Sequence, residues 1–359
     1  MITPLTRTAN FCESYGLRAP ILMAPMAGAC PPELAIAVAN GGGLGGCGAL
    51  LMKPEAIRTW ANDVRAKTNG AFQLNLWIPD PAPERNHTHE AQVRAFLSQH
   101  GPEVAPDAGD TTPIDFAAQC EAVIDAGPAI VSSIMGVYPP EIVERFKERG
   151  IKWFATVTTV AEAKESIAAG ADVIIAQGAE AGGHRGSFDP DRAATDTFGL
   201  FAILPAIVDA VGDTPVVATG GIGDARGIAA ALMLGASAVQ IGTSLLRTPE
   251  AGIASAWADA IATTLPEDTT VTRAFSGRLG RSIATEYVKA AGAADAPNPA
   301  PYPVQSGLTA AMRAEAAKAG DLSHMQVWAG QSARLATTEP AADLVRRLWD
   351  ETQAMLTAC

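Results

Sequence analysis

Short apolar runs alternate with stretches of helical period through most of the chain. Pro20–Ala24, Leu44–Ala49, Ala71–Ile78, Ala129–Ile134, Lys152–Val157, Asp172–Ala176, Pro215–Thr219 and Ser237–Ile241 read as eight buried strands. Between them the pattern predicts helices over Pro32–Asn40, Pro54–Thr68, Glu141–Arg149, Ala161–Ala169, Phe198–Val211 and Ala225–Leu234. Continuous apolar strands joined by helices indicate a parallel sheet covered on both faces. A doubly wound open sheet competes, but it would have to hold eight parallel strands with no antiparallel edge. The expectation is an α/β fold, a (β/α)8 TIM barrel over residues 1–250.

Two stretches fall outside that period. Residues 79–115, rich in Pro, Gly, Asp and His, follow the third strand and read as a loop insertion, long for an ordinary connection. From residue 251 to 359 the chain reads as a C-terminal helical part folded over the barrel mouth to close the active site. Its helical patterns are Ile253–Thr264, Gly307–Lys318 and Ala341–Met355, and the Ala- and Pro-rich AGAADAPNPAPYP between them reads as a linker. The longest uncharged stretch, Ile228–Leu246, raises the question of a membrane span. Its pattern changes halfway, so it reads as a helix followed by a buried strand.

Of the 359 residues, 48% are apolar and 18% charged, which excludes a disordered chain. Lys and Arg number 26 against 38 acids, a net charge of −12 with no basic cluster, so neither nucleic acid nor an anionic membrane is an expected partner. Five cysteines, none in a CxxC pair, read as free thiols. The opening MITPLTRTANF lacks the form of a secretory signal, and the expected location is cytoplasmic. The pattern sets no oligomeric state.

In a (β/α)8 barrel the chemistry sits at the C-terminal ends of the strands, and the unusual residues fall there. The first strand ends in MAPMAG, the third carries Asn75, and the sixth runs into Gln177, Glu180, Gly182, Gly183, His184 and Arg185. Gly220, Gly221 and Gly223 follow the seventh strand; Gly242, Thr243 and Ser244 follow the eighth. Glycine loops serve tight turns in any fold. Two of them at these positions point to a phosphate-bearing ligand held by backbone N–H groups. His184, on a glycine-rich loop at the mouth, is the candidate for acid–base chemistry. Glu180 could orient it, and Arg185 could attract an anion or stand solvated. His87 and His89 in NHTHE lack a third ligand, so no metal site is expected. GGGLGG, residues 41–46, precedes a strand instead of opening a helix, which argues against a dinucleotide loop.

MAPMAG, QLNLW, AQGAEAGGHRG, VVATGGIGDARG, VQIGTSLLR, TRAFSGRLGR, APYPVQSGL and WAGQSA together resemble the nitronate monooxygenases, formerly called 2-nitropropane dioxygenases. The resemblance covers nearly the whole chain. It implies an FMN-dependent oxidoreductase that takes an alkyl nitronate, such as propionate 3-nitronate, and O2 to a carbonyl compound and nitrite through a flavin semiquinone. It places Ala24, Pro25 and Met26 against the flavin ring, and Asn75 and Gln177 on the flavin or its ribityl chain. Gly182, Gly183, Gly220, Gly221, Gln240, Gly242 and Thr243 would hold the phosphate and neighbouring contacts. Trp328 and Gln331 would close over the cofactor, and His184 would be the catalytic histidine. Tyr302 and Tyr138 are candidates to meet the substrate. Two alternatives stay open: an FMN-dependent NAD(P)H reductase acting on a quinone or an enoyl-acyl carrier protein, and a barrel that binds FMN or a sugar phosphate without turnover.

Overall fold

All eight expected strands are present in the computed structural model, which describes residues 2–358. In chain order the strands are β1 (Ile21–Met23), β2 (Gly45–Gly48), β3 (Phe72–Trp77), β4 (Ile130–Ile134), β5 (Lys152–Val157) and β6 (Val173–Gln177). There follow β7 (Gly183–His184), β8 (Val216–Thr219), β9 (Ala238–Ile241), β10 (Thr269–Thr272) and β11 (Gly280–Ile283). Eight of them form one parallel sheet in the order β1-β9-β8-β6-β5-β4-β3-β2. The sheet closes on itself because Leu44 N–H donates to Ile21 O (3.0 Å) and Met23 N–H donates to Leu44 O (2.9 Å). The glycine run before β2 serves this closure. A Cβ on Gly43 would stand 2.4 Å from Ile21 O, and one on Gly45 would stand 2.6 Å from Ala35 O.

The barrel interior is filled by Leu22, Leu44, Ile130, Phe154, Ile175 and Val217. A helix over Pro4–Tyr15, not expected from the pattern, is capped by Thr3, whose Oγ1 accepts from Thr6 N–H (3.1 Å). Its Phe11 and Tyr15 rings lie 6.2 and 5.0 Å from Phe154, which stops the N-terminal end of the barrel. Only the opposite end is left for ligands.

Eight helices form the outer ring: Pro32–Gly41, Pro54–Arg65, Phe116–Ala126, Pro140–Glu148, Val160–Ala168, Leu200–Val211, Ala225–Met233 and Ala341–Ala358. Phe116–Ala126 was not expected. Asp115 caps it, its Oδ1 accepting from Ala118 N–H (3.2 Å). The last helix lies on the barrel wall, between Ala225–Met233 and Pro32–Gly41, rather than over the mouth. Its Ala341, Leu344, Val345 and Leu348 join the main core.

The mouth is covered by the chain between β9 and that helix, together with the insertion after β3. The insertion is not the loop expected: His87–Leu97 is helical, with Asn86 Oδ1 accepting from His89 N–H (3.0 Å). Its Val93 and Leu97 pack with Phe275, Tyr287, Val304, Leu308 and Met312. The Ala- and Pro-rich stretch is not a loose linker either, because Ala300 is buried and its N–H donates to Gln305 Oε1 (2.9 Å). Arg278, 1% exposed, is held by the Asp80 carboxylate through Nε (2.8 Å) and Nη2, which ties the insertion to the cover. β7 joins β11 and β10 in a second, antiparallel sheet, with His184 opposite Gly280.

The uncharged stretch resolves into Ala225–Met233 and β9, as expected. Among the described residues no helix is long and apolar enough to cross a membrane. Cys12, Cys30, Cys47 and Cys120 are buried free thiols; Cys359 lies outside the described residues.

Candidate active site

A cavity of about 360 Å³ opens at the C-terminal ends of the barrel strands, within the size range of small-molecule sites. Ala24, Pro25 and Met26 line it after β1, with Asn75 of β3, Gln177 of β6 and Gly182, Gly183 and His184 of the next loop. Gly220 and Gly221 after β8, Gln240 of β9, Gly242 and Thr243 after β9, and Trp328 complete the set expected from the sequence. Gln331 is not part of the lining. Its backbone N–H donates to Glu180 O (3.0 Å), and its neighbour Gly330 faces the cavity instead.

The turn after β8 is built for close approach by a ligand. Gly220 and Gly221 have φ of 115° and 68°, and a Cβ on Gly221 would meet Glu180 Cβ at 2.9 Å. The N–H groups of Gly221, Ile222 and Thr243 find no acceptor among the described residues. Thr243 Oγ1 accepts from Gly330 N–H (3.0 Å), which leaves its own hydrogen to donate. Unpaired donors converging from two glycine turns suit a phosphate group, as the two loops predicted. Above them, Asn75 spends its Nδ2 on Ser132 Oγ (3.1 Å), and Gln240 spends its Oε1 on Gln73 Nε2 (3.3 Å). The other halves of both amides remain for a ligand.

The loop after β6 departs from expectation in two residues, Glu180 and Arg185. Gln177 pins this loop: its Nε2 donates to His184 O (3.1 Å) and its Oε1 accepts from Gly186 N–H (2.8 Å). One Nε2–H and one Oε1 lone pair remain, and Gln177 lines the cavity. Arg185 is buried and donates to Gln177 O (2.7 Å) and Asp196 O (2.8 Å), so it neither faces the cavity nor stands in solvent. Glu180 does not orient His184; its carboxylate accepts from Leu200 N–H (2.9 Å) at the start of Leu200–Val211.

His184 finds its partner in the cover. Nε2 lies 2.7 Å from Ser276 Oγ, which also accepts from Arg278 N–H (3.3 Å) and lies 3.3 Å from Arg278 O. Nδ1 has no partner among the described residues and is open to the cavity. The ring sits between Trp77 and Trp328, with centroids at 4.8 and 4.9 Å, and Tyr302 stacks on Trp77 at 5.0 Å. Tyr302 is therefore at the site. Tyr138 is buried away from it and donates to Ser132 O (2.9 Å). Burial in this aromatic frame, then the charges of Arg278 and Arg313, push His184 down to about 3, so the imidazole is neutral at any physiological pH.

Ser276, Tyr302, Ser306, Arg313 and Gln326 line the cavity and were not read as site residues, Tyr302 apart. They come from cover segments far from the barrel motifs in sequence; Ser276 lies in TRAFSGRLGR and Tyr302 and Ser306 in APYPVQSGL, while Arg313 and Gln326 lie in none of the motifs that carry the resemblance. Met135, just after β4, has φ 71°, a strained backbone for a residue with a side chain, again on the cavity wall.

The sequence matches the profile of the family described as nitronate monooxygenase over residues 12–351. It is 38% identical to a nitronate monooxygenase of Paraburkholderia phytofirmans over 93% of this chain and 92% of that one. It is 35% identical to a probable nitronate monooxygenase of Staphylococcus aureus over 94% of this chain and 95% of that one. Among solved structures it superposes on a nitroalkane oxidase from Streptomyces ansochromogenes with a TM-score of 0.88 and 36% identity, covering 95% of this chain and 98% of that one.

Proposed function

The chain belongs to the nitronate monooxygenase family, a family of oxidoreductases, and from that premise we propose that it oxidises alkyl nitronates, such as propionate 3-nitronate, with O2 to carbonyl compounds and nitrite. The observation that carries this reading is a neutral, cavity-facing imidazole, His184, set above a pair of glycine turns with unpaired N–H donors.

The donor set fits FMN. Gly220, Gly221, Gly242 and Thr243 would hold its phosphate. Asn75 and Gln240 have amide groups left for its polar chain and ring, and Ala24, Pro25 and Met26 would lie along the ring, with Gly182 and Gly183 beside it. FMN supplies the electron acceptor that no side chain here could replace.

What the chain itself does centres on one hydrogen-bonded pair. Ser276 Oγ can accept from Nε2–H of His184 or donate to it, so Nδ1 can serve in either form. With Nε2–H donating to Ser276, Nδ1 carries the lone pair that takes the α-proton of a neutral nitroalkane. With Ser276 donating to Nε2, Nδ1–H donates to a nitronate oxygen. The aromatic frame of Trp77, Trp328 and Tyr302 keeps the ring in place. A cytoplasmic location accords with the unpaired, buried thiols.

The test is anaerobic absorbance of the purified protein mixed separately with propionate 3-nitronate and with NADH or NADPH. Rapid change in the flavin spectrum with the nitronate alone supports the oxidase reading. Full bleaching by NAD(P)H with a silent nitronate makes the protein a reductase. A yellow protein silent toward all donors makes it a binding barrel, and a colourless one unable to take up FMN overturns the cofactor.

A further inference from the structure

Among the described residues the cavity lining carries one arginine or lysine, Arg313, and no acid. Its guanidinium is held by neutral acceptors from three places in the cover. Nε donates to Thr309 Oγ1 (3.1 Å), Nη1 to Gln326 Oε1 (2.8 Å) and Nη2 to Ser306 O (2.8 Å). No carboxylate comes within ion-pair distance of it among the described residues. Arg278, 1% exposed, is by contrast locked to Asp80. Burial lowers the Arg313 pKa, the mark of a charge the protein has desolvated without compensating it.

A half-buried guanidinium fixed in position on a cavity wall, with no carboxylate to offset its partial desolvation, is a ready seat for an anion. The molecule carries a net charge of −12, so its long-range field repels anions and any attraction must be local. A planar, two-oxygen anion matches the guanidinium fork. Ser306 and Gln326, which hold the fork, also line the cavity, so their remaining polar atoms frame the same spot. His184 and the glycine turns already account for the reacting group and the cofactor. Arg313 is left over from that chemistry.

We propose that Arg313 is a specificity residue that binds a carboxylate at the far end of the substrate, so that the favoured class is nitronates with a terminal carboxylate. The inference rests on the nitronate reading of the site and adds to it the residue that selects among nitronates. Both oxygens of such a carboxylate would sit on the guanidinium fork while the nitronate end meets His184. No bond is made or broken at Arg313.

The experiment compares propionate 3-nitronate with propyl-1-nitronate, which has the same carbon count and no carboxylate, in the FMN-loaded protein and in Arg313→Gln and Arg313→Lys. In Arg313→Gln the preference in kcat/KM for the carboxylate-bearing substrate falls about 30-fold, the worth of a charge-assisted hydrogen-bonded pair, and the loss appears in KM. Arg313→Lys, which keeps the charge and loses the fork, retains part of the preference. Succinate, a dicarboxylate that cannot react, quenches the fluorescence of Trp77 and Trp328 in the wild type and does so only weakly in Arg313→Gln. An unchanged preference, with both substrates losing equally, would overturn the proposal and leave Arg313 a scaffold for Ser306 and Gln326. If the wild type turns over neither nitronate, the functional reading fails, and the succinate titration still reports whether the anion site exists.

Discussion

A histidine read as a base is usually expected to titrate near neutrality, and this one does not. The perturbation is a fall in pH from 8 to 5, applied to turnover of a neutral nitroalkane such as nitroethane. An imidazole of ordinary pKa, about 6.5, would be roughly 3% neutral at pH 5, and a rate that needs the free base would drop about 30-fold. His184 is pushed down to about 3 by burial between Trp77 and Trp328 and by the charges of Arg278 and Arg313. It is then still about 99% neutral at pH 5, so no histidine limb falls within the range. The sign follows from the direction of the shift: a depressed pKa moves the acid limb to lower pH, and the plateau extends downward. The assay is kcat/KM from pH 5 to 8, which reports ionisations of the free enzyme, in the wild type and in His184→Asn. The variant loses activity throughout the range, by less than the roughly hundred-fold usual for a base tuned near the working pH, because so weak a base forfeits part of that benefit. A limb near pH 6.5 in the wild type that disappears in the variant would refute the reasoning, since it would mean that His184 is solvated and not enclosed as described.

Three further outcomes are expected. Ser276→Ala removes the side-chain partner of His184, worth about 1 kcal/mol, and kcat/KM for nitroethane falls about five-fold while FMN content, read from absorbance, is retained. Gly221→Ala forces a side chain into a left-handed backbone and against Glu180, and the Kd for FMN, measured by fluorescence on release, rises about ten-fold or more; Gly212→Ala, equally left-handed at φ 61° but in open space, leaves FMN binding intact. Asp80→Asn strands Arg278 in the interior, and urea denaturation shows a loss of about 3 kcal/mol, since one half of a buried pair is worse than none.

The barrel was legible because its strands carry two independent signals, an apolar run and a glycine or polar residue at its end. β5 was placed to the residue, Lys152–Val157. The helix Pro4–Tyr15 carries little apolar weight apart from Phe11 and its neighbours, and its role as a stopper depends on a barrel the local pattern cannot see. Phe116–Ala126 was hidden behind an insertion whose polar run obscured the start of the next regular unit. At the site, motifs located the residues but not their hydrogen bonds. Gln177 lies where expected yet spends part of its amide on its own loop. Ser276 and Arg313 were out of reach for another reason. They meet His184 and the cavity only because β11 pairs with β7 and the cover folds across, which are contacts between segments about 90 and more residues apart.

The helix Ala341–Ala358 closes the ring after the cover has left it and returned. Both stalks of the cover therefore spring from neighbouring points on one rim, between β9 and its own helix, and the scaffold beneath is continuous without it. In evolutionary terms the arrangement is a cassette. A crossover near residue 250 and another near 340 would exchange the segment bearing Ser276, Tyr302 and Arg313 while the glycine turns after β8 and β9 stay with the barrel, provided the contacts of Gly330 and Gln331 to Thr243 and Glu180 are kept. Substrate preference can drift in such a lineage at the pace of a surface loop, and the cofactor chemistry is inherited unchanged.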